Sequence, residues 1–146
     1  MRKILISHRG NLNGRVVSLE NNPQYIQMAL DTGFECEVDI YYKSSGWWLG
    51  HDNPIYRVDI NFLTKRGLWC HAKSIETFYW LLKHEFHCFW HQNDWVTLTN
   101  EGYIWTYPGC PLTDRSICVL PELDIGPGFD GCAGICSDYI ENFKGV

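Results

Sequence analysis

FECEVDIYY, residues 34–42, alternates without a break. Successive side chains of a strand point to opposite faces. Glu35, Glu37, Asp39 and Tyr41 therefore share one face, and Cys36, Val38, Ile40 and Tyr42 share the other. Two arrangements fit this pattern. In one, the acidic face is wet and the apolar face is buried. In the other, the acidic face points into the mouth of a barrel. Glu37 and Asp39 then stand about 7 Å apart along the strand and can hold one hard cation between them. Without a cation or a basic neighbour, two such carboxylates repel each other.

Working outward, residues 3–8 (KILISH) read as a buried strand with Ile4, Ile6 and His8 on one face, followed by a loop over 11–21. Asn22-Pro23 has the form of a helix start, cap residue then proline. Tyr25, Ile26, Ala29 and Leu30 supply an apolar helix face, and Gly33 the stop. After residue 42, KSSG reads as a hairpin turn and WWLGHD as a return strand. Asp59 caps a short helix over INFLTKR. LWCHAK (68–73) is a third main strand, and Ser74 caps a helix carrying Ile75, Phe78, Leu81 and Leu82. FHCFWHQ (86–92), GYIWTY, SICVLPE and GCAGICSDY are further strands. Strands alternating with helices predict βαβ units and a parallel sheet. The second half is poor in helices, although parallel strands need crossovers of a dozen or so residues.

At 146 residues the chain reads as one domain, residues 1–146, large enough for a core without staples. Its formal net charge of −5 argues against nucleic acid as a partner. No apolar run is long enough for a membrane span, and MRKILIS lacks the features of a signal peptide. Most of the seven cysteines sit in apolar runs, as buried small hydrophobes in a reducing cytoplasm do. The competing use of cysteine is a zinc site built from Cys70, His71, Cys88 and His91, although no tight Cys-x-x-Cys pair is present. Of the tryptophans, Trp47, Trp48, Trp69, Trp90 and Trp105 are candidates for either a cleft wall or the core.

The polar residues that end the strands follow an order. His8-Arg9-Gly10 ends the first strand and Glu37-x-Asp39 lies in the second. His51-Asp52 follows in the next loop, and His71-x-Lys73 ends the third strand before a helix start, where parallel α/β proteins keep working residues.

This order resembles the glycerophosphodiester phosphodiesterase family, within the phospholipase-C-like phosphodiesterase superfamily of TIM barrels. The matching stretches are ISHRGN (His8, Arg9, Gly10), LENNPQYIQMALDTGFECEVDI (Glu20, Asn21, Glu37, Asp39) and LGHD (His51, Asp52). HAK (71–73) stands where the family has Glu-x-Lys. The tail, DGCAGICSDYIENF, is similar to the family's last strand, with Ser137-Asp138-Tyr139 in place of Thr-Asp-Tyr. Sphingomyelinase D shows a similar series. The chain is far shorter than a TIM barrel of about 250 residues. The resemblance therefore implies a compact, reduced TIM-type (β/α) barrel, a short divergent member with few crossover helices in its C-terminal half.

The resemblance also implies roles. His8 and His51 are the acid–base pair; Glu37 and Asp39, with His71 in place of the third acid, are metal ligands; Arg9 and Lys73 hold the phosphate; Glu20 and Asp52 support the site. The implied cofactor is Mg²⁺ or Ca²⁺. An imidazole in the third position shifts the preference toward Mn²⁺ or Zn²⁺, unless Glu122 or another acid substitutes or the metal is lost. The implied activity is hydrolysis of a glycerophosphodiester or related small phosphodiester. The alternatives are a binding relative that holds a phosphorylated ligand without cleaving it, and a structural protein stabilised by zinc through Cys and His. A binding relative needs Arg9 and Lys73 but not two proton carriers.

Overall fold

The computed structural model of the chain describes residues 2–124 and 128–146. Ten strands form one sheet: β1 (Ile4–His8), β2 (Glu35–Lys43), β3 (Gly46–Leu49), β4 (Tyr56–Val58), β5 (Leu68–Ala72), β6 (Cys88–Phe89), β7 (Val96–Leu98), β8 (Ile104–Thr106), β9 (Ser116–Val119) and β10 (Gly134–Ser137). The helices are α1 (Pro23–Asp31), α2 (Ile60–Leu63) and α3 (Ile75–Lys83), with short 3₁₀ turns at Pro121–Leu123 and Ile140–Phe143. No helix among the described residues is long and apolar enough to cross a membrane.

Local chemistry sets the starts of these elements. The Asn22 side chain accepts a hydrogen bond from Gln24 N, with Pro23 in the first helical turn, and the Ser74 hydroxyl accepts from Thr77 N. Ser44 and Ser45 both take positive φ, and their turn folds β3 back onto β2.

β6, β5, β2, β1, β10, β9 and β8 run parallel in that spatial order. β3 and β4 add antiparallel beyond the end of β1, and β7 adds antiparallel to β8. The sheet curls, and its two faces carry different cores. Cys36, Val38, Ile40, Cys70 and Ala72 pack outward against Ile26, Ala29 and Leu81 of the helices. Ile6, Trp69, Phe89, Trp105, Ile117, Val119 and Cys136 fill the concave side.

This overturns the expected TIM-type (β/α) barrel. The structure is a curled, mixed half-barrel of ten strands with three short helices. The reason is in the connections. Among the described residues, the connections from β8 to β9 and from β9 to β10 hold no α-helix, and the outer face there is met only by the 3₁₀ turn Ile140–Phe143. The hairpins of β3–β4 and β7 spend chain on antiparallel additions. No strand ladder joins β6 to β7 or β8 among the described residues.

Close approach fixes one residue of the sheet. A Cβ on Gly134 would lie 2.6 Å from the Ile4 carbonyl oxygen and 2.9 Å from Ile4 Cβ, both on the neighbouring strand. Gly134→Ala is expected to destabilise the fold by about 1–3 kcal/mol, read as a lower urea midpoint.

At the end of the curl remote from His8, His87 packs tilted against the Trp69 ring, centroids 4.1 Å apart, and hydrogen-bonds through Nε2 with the Thr99 hydroxyl. Burial depresses its pKa to about 4, against about 6.5 for a free imidazole. The unfolded chain therefore binds this proton more readily than the folded one. The contribution is intact above pH ~6.5 and is lost as pH falls toward 4. In urea titrations between pH 6.5 and 4, His87→Phe should flatten the fall in stability, by up to about 1.4 kcal/mol per pH unit.

Candidate metal and phosphate site

The C-terminal ends of the parallel strands gather the polar residues. Register makes the first pairs: His8 lies opposite Glu37, and Asp39 opposite His71. Glu37 and Asp39 are both buried, at 2% and 0% exposure, and face the inside of the curl. Of the two readings of FECEVDIYY, the inward acidic face is the one observed.

Asp39 is the hub. Its Oδ2 accepts from Asn21 Nδ2 at 2.9 Å and lies 3.0 Å from Arg9 Nε, off the N–H axis, so that contact is an ion pair rather than a directed bond. Its Oδ1 lies 3.3 Å from His71 Nδ1 and 3.5 Å from Lys73 Nζ. Asn21 also accepts from the Asp39 backbone N–H through Oδ1. Arg9 and Asn21 both have positive φ, 56° and 62°. Such strain persists only where the surroundings over-determine it. Here Arg9 N–H donates to Glu37 O and Asn21 N–H to Arg9 O, while both side chains converge on Asp39.

His8 and Asp138 form a second unit. His8 Nδ1 and Asp138 Oδ1 are 2.8 Å apart, and Asn11 Nδ2 donates to the same oxygen at 2.8 Å. The other ring nitrogen of His8 faces Glu37 Oε2 at 3.8 Å. Glu122 holds the base of this arm, accepting from Asp138 N and from the Ser137 hydroxyl. Glu20 takes bonds from Arg9, Arg15 and Asn11.

The electrostatics follow from this packing. Burial raises the Asp39 carboxyl, but His71, Arg9 and Lys73 outweigh it and hold it well below the usual carboxylate range. Burial also opposes a charge on His71, and the carboxylates of Asp39 and Glu37 outweigh it and raise the imidazole. Burial opposes a charge on Asp138, while bonding from His8 and Asn11 lowers it.

One ligand atom each of Glu37, Asp39 and His71 lies within 4.8 Å of the others, and this buried triad could hold a metal ion. Glu37 Oε2, Asp39 Oδ1 and His71 Nε2 are buried without a hydrogen-bond partner. Buried polar atoms are rarely left so; a cation would satisfy the two carboxylate oxygens, and His71 faces those carboxylates through Nδ1, 3.6 Å from Glu37 and 3.3 Å from Asp39. The donor set suits a divalent ion.

His8, Arg9, Glu20, Glu37, Asp39, His71 and Lys73 are thus brought together. His51 and Asp52 are not in this network. Their side chains pair with each other at 2.8 Å and are 42% and 85% exposed. The loop is nonetheless tied to the site's edge: Gly50 N–H donates to Asp39 O, and the Tyr41 hydroxyl to His51 O.

The sequence assigns no role to Asn11 or Tyr107, places Asn21 and Asp138 only within matching stretches, and offers His91 only as a zinc ligand. His91 stacks on His71 with centroids 4.7 Å apart and reaches the Tyr107 hydroxyl at 3.4 Å. Burial, with the charges of His71 and Lys73, depresses its pKa to about 4. Asp138 had a usable signal: it ends the apolar run GICS as His8 ends ILIS.

The zinc alternative does not assemble. Cys70 and Cys88 pack in the outer core, on the face opposite the inward His71, which stacks on His91. The tryptophans serve as packing. Trp69 and Trp105 fill the concave core, Trp47 and Trp90 the outer one, and Trp48 packs beneath Arg57.

A scan against protein-family models, a search of curated proteins and a search of solved structures each returned no match.

Proposed function

We propose that this chain is a metal-dependent phosphodiesterase acting on a glycerophosphodiester or related small phosphodiester. The observation that carries the reading is the buried cluster of Glu37, Asp39 and His71, with one ligand atom of each within 4.8 Å of the others, beside a histidine paired with an aspartate. The motif order of the strand ends supports the same reading.

Glu37, Asp39 and His71 would hold the cation: Mg²⁺ or Ca²⁺ by their carboxylates, Mn²⁺ or Zn²⁺ by the imidazole. When bound, it would neutralise charge on the phosphoryl oxygens. Arg9 and Lys73, now turned on Asp39, would hold the diester anion as a cation takes over that carboxylate. Asp138 fixes His8 in the tautomer that donates from Nδ1, leaving Nε2 to take the proton of the attacking water or substrate hydroxyl. The P–O bond to the leaving alcohol breaks, and His51, paired with Asp52, would return a proton to the alkoxide. Glu20 supports Arg9.

The test is hydrolysis of glycerophosphocholine and a chromogenic diester across Mg²⁺, Ca²⁺, Mn²⁺ and Zn²⁺. Cation-dependent turnover, abolished by a chelator, is expected. Inactivity with every cation would refute the assignment.

A further inference from the structure

Among the described residues, the outer face of β9 and β10 carries no α-helix, only the 3₁₀ turn Ile140–Phe143. It is floored by Cys118, Ile135 and Ile140, with Leu112, Phe129 and Phe143 packed against them. A cavity of about 660 Å³ opens there between the loop after β8 and residues 121–124 and 128–130. That is the size of a small-ligand site. Leu112, Phe129, Phe143, Pro108, Pro111 and Pro121 give it apolar walls. Phe129 and Phe143 meet edge to face at 5.4 Å and give the cavity an aromatic wall.

Two features specify the guest. First, the charged groups on the lining are all acidic: Glu122, Asp124 and Asp130, each exposed. Carboxylates around an apolar cavity repel an anionic guest and tolerate a neutral or cationic one. Second, the cavity shares two residues with the polar site. The Tyr107 hydroxyl reaches His91, which stacks on His71. Glu122 holds the backbone of Asp138, the partner of His8. The two sites thus meet at Tyr107 and Glu122, just past the C-terminal ends of β8 and β9, so an anionic group held by Arg9 and Lys73 would carry its apolar substituent toward the cavity.

We infer that this cavity binds an apolar group without negative charge. Resting on the phosphodiesterase reading, that group is the substrate's leaving alcohol, an alkyl or aryl chain that is neutral or ends in a cationic head. The favoured substrate is then an amphiphilic phosphodiester, and a diester with two small polar alcohols uses only half the site.

Equilibrium binding tests the cavity without catalysis. The probes are octyltrimethylammonium and octanoate, of equal chain length, both below their critical micelle concentrations. The full chain should bind octyltrimethylammonium, with octanoate about tenfold or more weaker. Phe129→Arg should abolish binding of the cation. Joint replacement Asp124→Asn and Asp130→Asn should bring the two probes to similar affinity, a readout that a folding defect does not mimic. Failure of the parent to bind octyltrimethylammonium, or parent-like affinity in Phe129→Arg, overturns the inference. On the catalytic side, octyl methyl phosphate should exceed dimethyl phosphate in kcat/KM. Equal values overturn the assignment to the leaving alcohol. The probe pattern with no diester hydrolysed at all would uphold the cavity and refute the phosphodiesterase reading.

Discussion

Asp39→Ala is expected to cost about 3–5 kcal/mol of folding stability, the usual cost of removing one partner of a buried ion pair. Asp39 is fully buried, and Arg9, Lys73, His71 and Asn21 all converge on its carboxylate. Without it the Arg9 guanidinium keeps Glu20 and loses its nearest charge, while Asn21 stays in a left-handed conformation with nothing to hold. Asp39→Asn keeps the volume and an acceptor for Asn21 but removes the charge, so it should cost less. Urea denaturation measures both. Since the folded Asp39 carboxyl lies below its unfolded value, its contribution is present above about pH 4 and is lost as the solution is acidified. Acid unfolding of Asp39→Asn should therefore be shallower than that of the parent.

The second large effect falls on catalysis. His8→Ala should lower diester hydrolysis by about 10²–10⁴-fold, the range for losing a positioned general base. Asp138→Asn should also lower it, because an amide can donate to His8 Nδ1 and favour the wrong tautomer. The two losses should not add, since both residues act on one proton. His8 ends β1, and its ring pairs with Asp138 and faces Glu37, so the stability of His8→Ala is measured beside its turnover to separate the catalytic effect from a folding one. Turnover and urea midpoints on the same samples check both statements. A His8→Ala variant with parental turnover would remove His8 from the reaction.

Local features of the fold are legible in the residues. Asn22, Asp59 and Ser74 cap helices, Ser44-Ser45 turns a hairpin, and alternation marks β2 as a strand with two distinct faces. What the sequence leaves open is which face turns inward, because period-2 alternation is the same for a wet acidic face and a buried one. Here β1 and β5 flank β2 and bring His8 and His71 alongside its acids, and that choice is made by long-range register. Closure is equally non-local. The run FHCFWHQ reads as a full strand, yet only Cys88–Phe89 pairs. β4 and β7, three residues each, are too short for any periodicity to mark. A barrel follows from strand–helix alternation only if the alternation continues, and it ends after α3.

Within the site, residues at strand ends are the readable ones: His8, Glu37, Asp39, His71 and Lys73. Asn21 escapes because its role depends on a positive φ and a carboxylate eighteen positions away. Tyr107 escapes because aromatic residues abound and most of them pack.

The account depends on Glu37, Asp39 and His71 forming a cation site. Calorimetric titration of the chelator-stripped chain with Mn²⁺, repeated with Mg²⁺, Ca²⁺ and Zn²⁺, tests it most directly. The account predicts one ion bound per chain for at least one of the four, a rise in melting temperature with that ion, and loss of both in Glu37→Gln. A parent chain that binds none of them, or a Glu37→Gln variant that binds as the parent does, would contradict it.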